Sequence, residues 1–209
     1  MLTAAVVLAL VGVRLWNYRG PRTAQPITGP LAAAALLLLA WAAGLAVSEI
    51  GLTPPTTTTI LYALGGVLTL AAFYALVLTF PRTRRTATPS PRPWRTALID
   101  IPLATVTFEE VAFRGVLWAA IAADAGPAWA TGGTAVLFGL WHLPHQRERP
   151  VVVIGTVVFT AAAGFVLAVL CRAGGGLLVP FAVHWAANAF GVLAVAAVHR
   201  AQGKPGTGE

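Results

Sequence analysis

Apolar residues are gathered into seven runs, at roughly 1–17, 30–48, 60–80, 97–123, 127–143, 151–171 and 177–198, separated by short polar, Pro- or Gly-rich stretches. A helix needs about 20 mostly apolar residues to cross a hydrocarbon core of ~30 Å. The pattern therefore predicts an all-α fold, a polytopic integral membrane helical bundle of about seven spans, with six and eight as the bounds. The first run is the weakest, being short and carrying Arg14 near its end. It lacks the basic start and the clear cleavage site of a signal peptide, since Arg19-Gly20-Pro21-Arg22 follows it directly. It is read as a retained helix.

Composition agrees with this pattern. Hydrophobic residues make up 57% of the 209 and charged residues 10%, against roughly 25% charged in an ordinary soluble domain. Mean hydropathy is +0.77. These values exclude a disordered chain and argue against a soluble globular one. The net charge of +7 changes the picture only through its placement. Arg19 and Arg22, then Arg82, Arg84, Arg85, Arg92 and Arg95, then Arg147 and Arg149, and last Arg200 and Lys204 fall in alternate connections. With seven spans these connections share one side, which the positive-inside rule makes cytoplasmic. The opposite connections hold Glu49, Asp124 and one exception, Arg172. The N-terminus is then expected outside and the C-terminus in the cytoplasm. Basic residues confined to membrane-flanking loops argue for the lipid bilayer as partner and against nucleic acid. The Ala-, Arg-, Gly- and Pro-rich composition suggests a bacterial plasma membrane. The single cysteine, Cys171, excludes an internal disulfide and a cysteine metal cluster.

The organisation expected is three-part. Residues 1–96 form front helices and a basic, Pro-rich cytoplasmic linker. Residues 97–198 form a core with nearly all the intramembrane polar groups, and 199–209 form a disordered tail. Ionisable groups inside a span are expensive, so each is a functional candidate. The fourth run carries Asp100, Glu109, Glu110 and Arg114, the fifth ends at His142, and the seventh carries His184 and Asn188. Glu110 and Arg114 stand four apart and can pair on one helix face. Glu109 is turned about 100° away, so one carboxylate can hold the arginine while the other faces a cavity. His184 and Asn188, also four apart, can face the same cavity or simply bond helices together. Asp100 is read as a head-group residue, and His145, His199 and Cys171 as outside the chemistry.

Elimination narrows the mechanism. The only serines, Ser48 and Ser90, lie at or beyond span ends, and no H-E-x-x-H occurs. Asp100 and Asp124 sit near opposite ends of one run, too far apart for an aspartyl dyad. Glutamate and histidine remain. Such groups can activate water, protonate a leaving amine and stabilise an oxyanion, which suits peptide hydrolysis. Glu109, His142 and His184 are also acceptable zinc ligand types.

The residues resemble the CAAX-processing and bacteriocin-processing membrane endopeptidases, the CPBP or Abi family. Its E-E-x-x-x-R motif is similar to Glu109-Glu110-Val-Ala-Phe-Arg114, its F-x-x-x-H to Phe138-Gly-Leu-Trp-His142, and its H-x-x-x-N to His184-Trp-Ala-Ala-Asn188. All three lie in order on separate runs within 97–198. The resemblance implies an intramembrane endopeptidase acting on a peptide or membrane-protein tail. It implies Glu109 as general base with His142 assisting, His184 and Asn188 as oxyanion site, and Glu110 with Arg114 as a supporting ion pair. No cofactor is the favoured expectation, with Zn2+ on Glu109, His142 and His184 as the alternative. A non-catalytic interaction or immunity protein and a proton-coupled transporter are the rival functions. Oligomeric state is left open.

Overall fold

The computed structural model describes residues 1–80, 88–144 and 148–201. Arg82, Arg84, Arg85, His145, Arg147, Lys204 and the tail beyond Ala201 lie outside the described residues. Among the described residues there is no strand. The described residues form seven helices: α1 (Leu2–Arg19), α2 (Gln25–Ala42), α3 (Thr57–Thr79), α4 (93–125), α5 (Pro127–Trp141), α6 (Pro150–Ala173) and α7 (Leu178–Ala201). The all-α membrane bundle read from hydropathy is the fold observed.

Local chemistry sets the ends. Proline stands in the first turn of α2, α5 and α6, where its missing N–H costs nothing. Thr56 and Thr59 cap α3 reciprocally, each side-chain oxygen accepting from the other's backbone N–H at 3.2 and 3.1 Å. Gly126, at φ +90°, turns the chain from α4 into α5. The second predicted span is displaced: 30–48 was expected, and the helix occupies Gln25–Ala42. Pro26 stands in the first turn of this helix and Pro30 inside it. Ala43 to Pro55 instead run as turns and extended chain.

Among the described residues five segments are long and apolar enough to cross a membrane: Leu2–Arg19, Arg22–Ala42, Thr57–Thr79, Pro150–Ala173 and Leu178–Ala201. They supply much of the lipid-facing surface, for example Phe73, Leu76, Ile154, Val158 and Phe159, all exposed. Helix α4 is the opposite case. Every residue from Phe108 to Leu117 is buried, and Phe108, Phe113, Val116 and Leu117 share a core with Val6, Leu10, Leu36, Ile50 and Phe138. This stretch of α4 is covered by other helices, whereas Leu98, Ile99 and Leu103 nearer its start are exposed.

Close packing uses small residues, as lipid-embedded helices require. A Cβ on Gly139 of α5 would lie 2.6 Å from the Val157 carbonyl of α6. Between helices, Tyr74 of α3 donates to Ala187 O at 2.9 Å, and Trp185 of α7 donates to Ala97 O at 2.8 Å. Arg14 donates to Leu143 O at 2.5 Å and lies over the Trp141 ring at 5.4 Å. The arginine that weakened the first span as a sequence signal thus ties α1 to the end of α5.

Candidate active site

Helix α4 is not a regular α-helix around its carboxylates. Its backbone hydrogen bonds widen to the i→i+5 pattern over Thr96–Val106 and Glu110–Leu117, leaving one short α-helical stretch, Thr107–Glu109, between. Pro102 supplies a local cause for the first widening. It has no N–H to donate, and its ring crowds the preceding turn. Its own carbonyl accepts both the Thr107 N–H and the Thr107 hydroxyl, the latter at 2.7 Å. Wide turns inside helices are rare and concentrate at functional sites.

Glu110 and Glu109 part ways at the second widening. Glu110 Oε1 accepts from Arg114 Nη1 at 3.0 Å and from His184 Nδ1 at 2.6 Å. Glu110 and Arg114 are each only 1% exposed, so this is a buried charge pair with an imidazole on it. Glu109 faces elsewhere. Its Oε1 accepts from the Trp141 indole N–H at 2.9 Å. Its Oε2 stands 3.9 Å from His142 Nε2 and 3.8 Å from His184 Nε2.

The tautomers follow from the remaining bonds. His142 Nδ1 is 2.8 Å from the Phe138 carbonyl, which can only accept. His184 Nδ1 sits on a carboxylate oxygen. Both Nδ1 atoms therefore carry a proton, and each ring turns its Nε2 toward Glu109 Oε2. Glu109 Oε2 and the two Nε2 atoms thus converge on one point. Glu109 Oε2 is buried and has no hydrogen-bond partner among the described residues. A guest that donates protons or carries positive charge suits that convergence. The His142 side chain is 29% exposed against 9% for His184, so the site opens past His142.

Helices α4, α5 and α7 bring these groups together. Helix α5 has fifteen residues, about 22 Å at 1.5 Å per residue. It stops short of a full crossing, with His142 at its end. Helix α7 starts from a sunken turn. Leu177 packs against Gly115, and its N–H bonds to Gly51 O at 2.8 Å, so the segment after α2 covers the turn. Arg172, beside that turn, donates to Arg114 O at 3.2 Å. From Leu178 to His184 is six positions along α7, and from Gly115 back to Glu109 is six along α4.

Phe138 is the packing centre. Its ring lies under the Arg114 guanidinium at 4.0 Å and meets His142 and His184 edge-on at 4.5 and 5.8 Å. Asn188 is half-buried one turn beyond His184, and its side chain makes no hydrogen bond to the described residues. Asp100 pairs with Arg95 at 3.6 Å, away from the site. Arg172 stacks on Trp118 at 4.2 Å and donates to Cys171 Sγ at 2.9 Å, so packing explains this exception to the basic-side pattern. Trp141 touches Glu109 directly, and sequence reasoning assigned it no role beyond that of an interfacial indole. Its only signal was adjacency to His142. Glu109, His142 and His184 offer zinc-type donors, yet among the described residues no three such side chains close into a metal-holding group.

Comparison with known proteins adds one match. Residues 91–190 match the Rce1-like model, described as type II CAAX prenyl endopeptidase Rce1-like. No curated protein and no solved structure matches the chain. The matched residues contain all three motifs and every described side chain that converges on Glu109, so this stretch of the chain is similar to the type II CAAX prenyl endopeptidases of the Rce1-like family.

Proposed function

We propose that the protein hydrolyses a peptide bond at the membrane with water activated by Glu109 and His142. The observation carrying this reading is the bare Glu109 Oε2, buried and flanked by two imidazole Nε2 atoms at 3.8 and 3.9 Å. Water is a donor that satisfies acceptors so arranged. One O–H would go to Glu109 Oε2 and the other to His142 Nε2, aiming the oxygen lone pair at a carbonyl carbon entering past His142. Glu109 would take the proton as the C–O bond forms. It would return that proton to the leaving amine as the C–N bond breaks.

The oxyanion needs donors that strengthen in the transition state. His184, when protonated, offers Nε2–H while Glu110 holds Nδ1–H, and Asn188 one turn away offers its amide N–H. Glu110 then acts as orienter and counter-ion of the imidazole, with Arg114 keeping that carboxylate in place. The donor types would also suit Zn2+, which would add Lewis-acid chemistry. No step is routed through a metal. The substrate class we assign is a peptide or membrane-protein tail, in keeping with the family's endopeptidase chemistry.

The test uses purified wild type and Glu109→Gln in detergent with a quenched peptide library, each with and without a chelator. Wild-type cleavage that vanishes in Glu109→Gln, by at least about a thousandfold, is expected for loss of the base together with its proton return. Cleavage unaffected by the chelator supports water activation by side chains alone. Loss restored by zinc overturns that part. Equal cleavage by both proteins overturns the assignment of Glu109.

A further inference from the structure

The Trp141 indole is the only donor on Glu109 among the described residues, and it occupies one oxygen, Oε1, at 2.9 Å. The other oxygen is left without a partner between the histidines. A carboxylate is symmetric in solution. Here a single N–H makes its two oxygens unequal and fixes the rotation of the group about its last bond. The ring that supplies the N–H is itself held on several sides. Phe108 and Phe113 lie against it at centroid distances of 5.8 Å each, and Arg14 covers it at 5.4 Å. Trp141 also precedes His142 in the chain, so one backbone segment sets both partners of Glu109.

We propose that Trp141 is a positioning residue that assigns the two oxygens of Glu109 their separate tasks, Oε1 as the anchored atom and Oε2 as the base. It touches no reacting atom and acts through Glu109, so the inference rests on the peptidase reading above. Without the N–H, Glu109 rotates freely, and Oε2 is aimed at water for only part of the time. Chemistry suffers, and ground-state binding of the peptide does not.

Two variants separate the donor from the packing. Trp141→Phe removes the N–H and half the ring. Replacing the indole by a benzothiophene of the same outline removes the N–H alone. Both are read by thermal unfolding, by kcat and KM on a cleaved peptide, and by the infrared carboxylate stretch of Glu109, assigned by subtraction of Glu109→Gln. The benzothiophene variant is expected to unfold at the wild-type temperature. Its kcat should fall about ten- to a hundredfold, as loss of a hydrogen bond to a charged group predicts, with KM unchanged. Its carboxylate band should shift. An unchanged kcat or an unmoved band in the folded benzothiophene variant overturns the proposal. If the wild type cleaves nothing, the peptidase reading fails on its own, and the infrared band alone decides whether Trp141 holds Glu109.

Discussion

Glu109 and Glu110 are neighbours in sequence with opposite surroundings, and each surrounding gives a different mutational signature. Glu110→Gln leaves the Arg114 guanidinium buried with its charge partner gone and loosens the anchor of His184. Breaking a buried pair in this way costs about 3–5 kcal/mol. Thermal unfolding in detergent is expected to show a large drop for Glu110→Gln and little change for Glu109→Gln, whose charge is absorbed by no cation. The i,i+4 spacing of Glu110 and Arg114 made their pairing legible, and the turn between adjacent residues made the divergence of Glu109 legible. The hydrogen bond from Trp141 was not. Tryptophans near span ends ordinarily mark the lipid interface, and nothing in an indole's position along a chain says which way its N–H points. The role of Phe138 as a platform under Arg114 and both histidines was hidden for the same reason.

Helices α5 and α6 meet through Gly139, where a side chain would strike the Val157 carbonyl. Gly139→Leu therefore pushes α5 away from α6 and carries His142 with it. The variant is expected to lose activity about a hundredfold or more, as displacement of a catalytic group by about 1 Å predicts, and to unfold at lower temperature. Gly132→Leu on the same helix is the control, since no heavy atom lies within 4 Å of its Cβ position. It should stay within about 0.5 kcal/mol of wild type. Paired activity and unfolding measurements check both. Hydropathy located every helix, because lipid-facing and core-facing positions are both apolar. It could not locate their depths. Treating each run as a full crossing put His142, Glu109 and His184 at three levels, whereas α5 is short and α7 begins from a buried turn. The wide turns of α4 were equally invisible, since Pro102 hints at a disturbance but not at its length.

Across the whole molecule, Gly126 and Ser90 lie beyond opposite ends of α4. The arrangement of basic connections predicts that Gly126 faces outward and Ser90 the cytoplasm. Cys171 is buried, which gives a quiet background for labelling. In sealed cells a membrane-impermeant thiol reagent is expected to modify Gly126→Cys and to reach Ser90→Cys only after lysis. The reverse pattern would invert the topology. The bundle also divides by chemistry. The front helices supply walls and the Arg14 clasp on Trp141, while α4, α5 and α7 carry every group that meets Glu109. Charge distribution made that division legible, because the front helices carry almost no intramembrane charge. The contact of Arg14 with Leu143 was not, being a matter of how far apart in space two distant segments fold.

The brevity of α5 matters beyond the alignment of His142. Its exposed residues Trp129, Val136 and Leu140 present lipid with an apolar length of about 22 Å beside a bilayer core of ~30 Å. Lipid chains next to this helix must shorten or tilt, and the cost grows with every ångström of mismatch. The protein is thereby coupled to the thickness of its solvent. Reconstituted in bilayers of graded acyl length, it should turn over fastest in thin ones and slow as the chains lengthen, with Gly132→Leu following the same curve. A sheet of lipid, by its thickness alone, would act on the protein as an effector does.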